Sequence, residues 1–180
     1  PADNCYYAAD SADNGETWTN GKSLEELLGL KENLGEYISV VSAAADGSIF
    51  VGADLSPDRD NENAQTTADN GEEDSAYDNL KIGFFYLSPD GNVQKVDTGD
   101  TIQSFYTFQA CFTENGTVLI VDPGNGVAEI NPSDGSLVRR YEEGIRVDFI
   151  GTAGKMLFTI QDQTLHGYDL DTGKPLDNII

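Results

Sequence analysis

The chain has 180 residues, 38% of them hydrophobic, and 32 acidic against 10 basic residues give it a net charge of −22. That length suits one domain, and the apolar share is enough to build a core, which excludes a wholly disordered chain. A field of this sign repels phosphate backbones and anionic lipid heads, so nucleic acid and membrane surfaces are not the expected partners, and no apolar run approaches the roughly eighteen residues a spanning helix needs.

In chain order, the first feature is a turn, Ser11-Ala12-Asp13-Asn14-Gly15-Glu16-Thr17-Trp18. Asp13 is placed to accept hydrogen bonds from backbone N–H groups within it, Gly15 permits a positive φ, and Trp18 is expected to wedge between neighbouring sheets. The stretch Lys22 to Leu34 then carries Leu24, Leu27, Leu28 and Leu34 on an apolar side, with Gly29 in its middle and Gly35 at its end. It predicts one or two helical turns within a connection. Short β-prone runs follow at Ile49–Val51, Ile82–Leu87, Phe105–Phe112, Thr117–Val121, Val127–Ile130, Met156–Ile160 and Leu165–Leu170. Glycine turns at Gly47, Gly91, Gly116, Gly135, Gly154 and Gly173 separate them, which predicts antiparallel hairpins. Ser56 to Asn79 has no periodicity, one base (Arg59) and eight acids. It reads as a mobile acidic loop inserted between the second and third strands of its unit.

The turns repeat. Gly116 to Gly154 is 38 residues, Gly135 to Gly173 is again 38, and Gly91 to Gly135 is 44. A unit of about 40 residues with four short strands is the mark of a β-propeller blade, which buries its faces only against its neighbours. The predicted fold is all-β, a propeller-type array of four-stranded antiparallel blades. The last two strands of one blade fall at about Tyr6–Asn20, and about three complete blades follow. Residues 1–180 are read as a single partial propeller domain, part of a larger propeller or one completed by self-association.

Ser11, Asp13, Gly15, Thr17 and Trp18 match S-x-D-x-G-x-T-W at every defined position. The stretch resembles the Asp-box, the bacterial neuraminidase repeat that lies between the third and fourth strands of propeller blades in sialidases, sortilin-like receptors and related proteins. The later turns lack the Thr-Trp ending; Tyr168 to Leu176, "YDLDTGKPL", is similar to the D-x-x-T-G turns of quinoprotein-type propellers. Both resemblances imply a propeller.

The residues for chemistry are sparse. The sialidase resemblance would imply an arginine cluster and a tyrosine–glutamate pair. The arginines here are Arg59, Arg139, Arg140 and Arg146, and the adjacent pair should point to opposite faces of a strand. No metal-ligand cluster suits a quinone cofactor, so no cofactor is expected. Asp58, Asp60 and Glu62 alternate like the opening of a calcium loop, but Asn63 replaces the glycine, and a solvated loop is the favoured reading. His166 is the only histidine. The aromatics Tyr6, Tyr7, Trp18, Tyr37, Phe84, Phe85, Tyr86, Phe105, Tyr106 and Phe108 could stack on a carbohydrate, but alternating aromatics in strands favour a core. Cys5 and Cys111 fit no metal spacing, and whether they pair is open. The chain opens with no basic stretch and apolar core of a signal peptide, although its acidity suits a soluble secreted protein. The expected function is a non-catalytic extracytoplasmic module, secreted or surface-anchored, that binds a glycan, peptide or protein. The alternative is part of a secreted propeller glycoside hydrolase or lyase whose catalytic residues lie elsewhere.

Overall fold

The computed structural model describes residues 7–9, 11, 16–17, 21–29, 38–54, 82–102, 109–122 and 124–177. Two very short strands, β1 (Tyr7–Ala8) and β2 (Lys22–Ser23), pair antiparallel and lead into the helix α1 (Leu24–Leu28). The Ser23 hydroxyl accepts the Glu26 N–H at 3.1 Å, a side-chain cap. Gly29, at φ +64°, ends the helix, so of the predicted stretch one turn and a half is helical.

Three antiparallel sheets follow, each a meander. The first is β3 (Ile38–Ala43), β4 (Ile49–Asp54), β5 (Ile82–Leu87) and β6 (Val93–Val96). The second is β7 (Ala110–Phe112), β8 (Val118–Val121), β9 (Val127–Ile130) and β10 (Leu137–Tyr141). The third is β11 (Phe149–Ala153), β12 (Met156–Gln161) and β13 (Thr164–Asp169), with an isolated bridge from Tyr168 to Pro175 where a fourth strand would lie. The acidic stretch 56–79 lies outside the described residues; the strands flanking it pair directly, Asp54 opposite Ile82. First strands meet first strands, β3 against β7 and β7 against β11. Blades set around a common axis produce that contact.

Side chains from successive blades fill the seams. Phe50, Phe84 and Val96 of the first blade pack on Val118, Ile120, Ala128 and Ile130 of the second. Phe50 and Phe84 stack with ring centroids 5.5 Å apart. Leu119, Val121, Val127 and Tyr141, on the other face of the second blade, pack on Val147, Ile150, Leu157 and Leu170. Val118 to Val121 is therefore buried on both faces, which explains a run with no apolar–polar alternation. The far face of the first blade is closed by α1, whose Leu24 and Leu28 cover Val51, Ala53, Phe85 and Leu87. Phe84 and Phe85 are thus core residues on opposite faces of one strand and offer no stacking platform.

The hairpins show how closely the repeat is kept. In the first two blades the inner hairpin has a three-residue loop, with Gly47 donating to Ala44 O at 3.1 Å and Gly116 to Thr113 O at 3.0 Å. Both glycines sit at positive φ, as this loop requires. The third blade makes the same connection in two residues, Gly154-Lys155. In the outer hairpins Gly135 donates to Asn131 O at 2.8 Å and Gly173 to Asp169 O at 2.7 Å, the same turn in successive blades. Seam positions Phe112, Val118 and Ile130 correspond to Thr152, Leu157 and Tyr168, so the offset shortens by one residue at each hairpin.

Two substitutions test this geometry. The turn Asp162-Gln163 between β12 and β13 holds both residues at positive φ, +45° and +64°. Gln163→Gly should remove about 1 kcal/mol of backbone strain and raise the melting temperature by about 3 °C in a thermal scan. Gly135→Ala should do the reverse: its φ is +76° and an added Cβ would run into Asp97 O. A loss of about 3 kcal/mol is expected in denaturant unfolding.

Candidate functional site

The polar groups that chemistry could use gather in the seam between the second and third blades. Glu129, near the end of β9, is buried. It accepts the Thr117 hydroxyl at 2.7 Å and the Tyr141 hydroxyl at 2.9 Å. Thr113 and Thr117 stand 2.7 Å apart, and since Thr117 donates to Glu129, Thr113 must donate to Thr117. Pairing places these groups together: Glu129 and Tyr141 both point toward the third blade, one from β9 and the other from β10.

Across the seam a second carboxylate repeats the arrangement. Glu142 follows β10 with φ +52°, a left-handed conformation rare outside glycine and Asn. That conformation turns its side chain onto the inner face of the third blade. There it accepts the Tyr168 hydroxyl and, at 3.5 Å, the Thr159 hydroxyl, while His166 Nδ1 lies 3.6 Å away. The Tyr141 and Tyr168 rings meet edge to face at 5.4 Å and join the two clusters. Burial, reinforced by the bond to Glu129, pushes the Tyr141 phenol up to about 12. Burial and Glu142 push Tyr168 up as well. Neutral, donating phenols are what such carboxylates hold.

The two adjacent arginines of β10 do point to opposite faces. Arg139 lies over the Tyr141 ring at 5.9 Å and reaches Leu170 O at 3.3 Å, tying the second blade to the third. Arg140 turns the other way, to the fully buried Asp122 at 3.1 Å, to Asn125 O at 2.9 Å and to Thr101 O. Thr101 belongs to a 3-10 turn, Gly99–Thr101, between the first and second blades. Gln109 links the inner strands, its Oε1 accepting the Ile150 N–H at 3.0 Å. Arg146 is exposed beside Asp148 at 3.4 Å.

At the opposite end of the blades, aspartates close the turns. Asp46, Asp134 and Asp169 accept the N–H groups of Ser48, Ser136 and Thr172 at 2.9, 2.9 and 2.7 Å, and these bonds hold their carboxyls below the usual range. Asp90 is lowered by the Ser88 hydroxyl.

Of the residues marked by the sequence, Ser11 is half-buried and Thr17 is exposed, on the segment between the paired strands β1 and β2. Asp13, Gly15 and Trp18 lie outside the described residues, as do Asp58, Asp60, Glu62 and Arg59. Among the described residues no group of three or more His, Cys, Asp or Glu side chains could hold a metal ion. Cys111 is a free thiol on the second blade, pushed up to about 11 by burial. Sequence reasoning missed both carboxylate–tyrosine pairs; Tyr141 directly before Glu142, just after the adjacent arginines, was the available signal.

The raised phenols and thiol make stability fall at high pH. Each favours its neutral form in the fold, so its contribution is complete below the unfolded value and is lost as pH rises through the folded one. The window opens near pH 9 with Cys111 and runs to about 12 with Tyr141. Denaturant melts across that range should show steadily falling stability, and Tyr141→Phe should flatten the upper part of the fall. At pH 7 the same variant should lose about 1–2 kcal/mol, because Glu129 stays buried with one donor fewer.

No protein-family model matches this chain, and no curated protein matches it. Among solved structures it is similar to the computationally designed Ika4 protein, with a TM-score of 0.49 and 14% identity over 78% of this chain and 71% of that one. It is also similar to the Neurospora crassa Pan2 WD40 domain, with a TM-score of 0.50 and 11% identity over 82% of this chain. The chain spans 41% of the length of that WD40 domain. At such identity the likeness to the WD40 domain speaks to fold alone, and it agrees with the meander sheets and the contacting first strands: the chain has a β-propeller-type fold, a partial array of antiparallel blades.

Proposed function

We propose that this chain is a non-catalytic binding module of an extracytoplasmic propeller, presenting its surface to a glycan, peptide or protein. One observation supports the reading above the others. Asp122 and Glu129, the buried acids among the described residues, are held by Arg140 and by Tyr141 and Thr117, and Glu142 is held by Tyr168. These groups join strands and blades, and the propeller scaffold leaves loops and sheet faces for recognition. The Asp-box reading of Ser11, Asp13, Gly15, Thr17 and Trp18 belongs to the proposal as a structural turn, and calcium at Asp58, Asp60 and Glu62 as an accessory to it.

The second reading, part of a secreted propeller glycoside hydrolase or lyase, draws on the 41% span of the WD40 domain, which leaves room for further blades in a longer protein. A glycan and peptide array probed with the 180-residue chain, with and without calcium, tests the first. Saturable binding with no release of sugar from sialosides or other chromogenic glycosides is the expected result. Turnover by the chain itself would overturn the first reading, and so would an array with no saturable signal at about 100 µM protein.

A further inference from the structure

Asparagine stands directly before glycine at Asn14, Asn20, Asn70, Asn115 and Asn125. The first three asparagines lie outside the described residues; the last two stand in successive loops of the second blade, before and after β8. In such a pair the side-chain amide is open to attack by the backbone nitrogen that follows it, because glycine has no Cβ to shield that nitrogen. Local sequence gives Asn115 and Asn125 the same chemistry. The fold treats them differently.

Asn115 is exposed in the three-residue loop between β7 and β8. The Gly116 N–H donates to Thr113 O at 3.0 Å, a bond within that turn. No described atom lies within 4 Å of where a Gly116 Cβ would be. Asn125 is half-buried between β8 and β9, and its polar groups are all held. Its N–H donates to Asp122 O at 2.8 Å, its Nδ2 to Asp122 Oδ2 at 3.0 Å, and its carbonyl accepts Arg140 Nη1 at 2.9 Å. The Gly126 N–H donates out of the loop to Ile145 O at 2.8 Å, and a Gly126 Cβ would run into Tyr141 O and Glu142 O. Freeing Asn125 therefore means breaking into the tie between Arg140 and the fully buried Asp122. Freeing Asn115 disturbs one exposed turn.

We propose that Asn115 is a site of spontaneous deamidation and that the fold protects Asn125 from the same reaction. The Gly116 nitrogen gives its proton to solvent and attacks Asn115 Cγ, closing a succinimide ring. The new N–Cγ bond replaces the Cγ–Nδ2 bond, and the amide nitrogen takes a proton from solvent and leaves as ammonia. Water then opens the ring at either carbonyl. Opening at the backbone carbonyl gives isoaspartate, with the main chain routed through Cγ; opening at the other gives aspartate. Either product places a further carboxylate beside Glu114 on a chain that already carries −22. The reaction needs only water, so it is independent of whether the module binds a glycan or peptide.

Peptide mapping by mass spectrometry tests this on the folded 180-residue chain held in warm, mildly alkaline buffer, with a parallel sample in guanidinium chloride. Time points give a rate for each asparagine, and electron-transfer fragmentation separates isoaspartate from aspartate. In the folded chain Asn115 should convert at least about tenfold faster than Asn125, since Asn125 must first break several more hydrogen bonds. In guanidinium the two rates should agree within about twofold, because both pairs then face solvent. Asn115→Gln should abolish the reaction in its loop and leave the Asn125 rate unchanged. Matching rates in the folded chain overturn the proposal, as does an Asn115 that stays intact there while reacting in guanidinium. Rates that differ as widely in guanidinium as in the folded chain also overturn it, because the cause is then local sequence.

Discussion

The structure depends on the burial of both faces of the second blade. Val118 and Ile120 point to the first blade while Leu119 and Val121 point to the third, so no single sheet could keep this strand dry. Each such side chain contributes about 1.5–3 kcal/mol when fully buried, and those contributions exist only while three blades stand side by side. The same constraint explains the ends of the array. The first blade meets it with Leu24 and Leu28 of a five-residue helix, too short to be stable on its own. The third blade meets it on its inner face alone.

Apolar seams are poorly directional, and the polar groups within them supply the direction. Glu129 holds Tyr141 and Thr117; Glu142 holds Tyr168; Arg139 and Arg140 leave one strand toward opposite neighbours. A buried carboxylate deprived of its donor is costly, so each tie penalises a slipped register more heavily than the intended one is rewarded. Glu142 shows how the fold accommodates this requirement, adopting a left-handed backbone that glycine would take more easily while its carboxylate meets Tyr168.

Much of the architecture was legible in residue order. The runs Ile82–Leu87 and Val127–Ile130 are strands over those same residues, and the Gly135 and Gly173 turns are superposable in their hydrogen bonds. The strand Phe149–Ala153 was harder to see, because Gly151 and Ala153 weaken its intrinsic preference. Its partner β12 supplies the ladder, and the Phe149 ring lies 3.7 Å from where a Gly151 Cβ would be. Asp162-Gln163 carries no glycine, so nothing local marked a tight hairpin there. The equal spacing of Gly116 and Gly154 identified corresponding hairpins, yet the loops differ in length. The carboxylate–tyrosine pairs were hidden because their members stand far apart in the chain, Glu142 and Tyr168 by 26 residues, and only the seam brings them together.

What the sequence by itself determined is local and periodic: which residues are extended, where glycine reverses the chain, and that a unit of about 40 residues recurs. Backbone preference and the two-residue pleat act over a few neighbours, so they can be read without knowing what lies alongside. The tertiary structure alone decided which face of each strand meets which blade, which acids become ties, and that the face bearing Ile160 is left uncovered. Those outcomes depend on contacts between residues distant in the chain, and residue order carries no record of such contacts until the blades stand side by side.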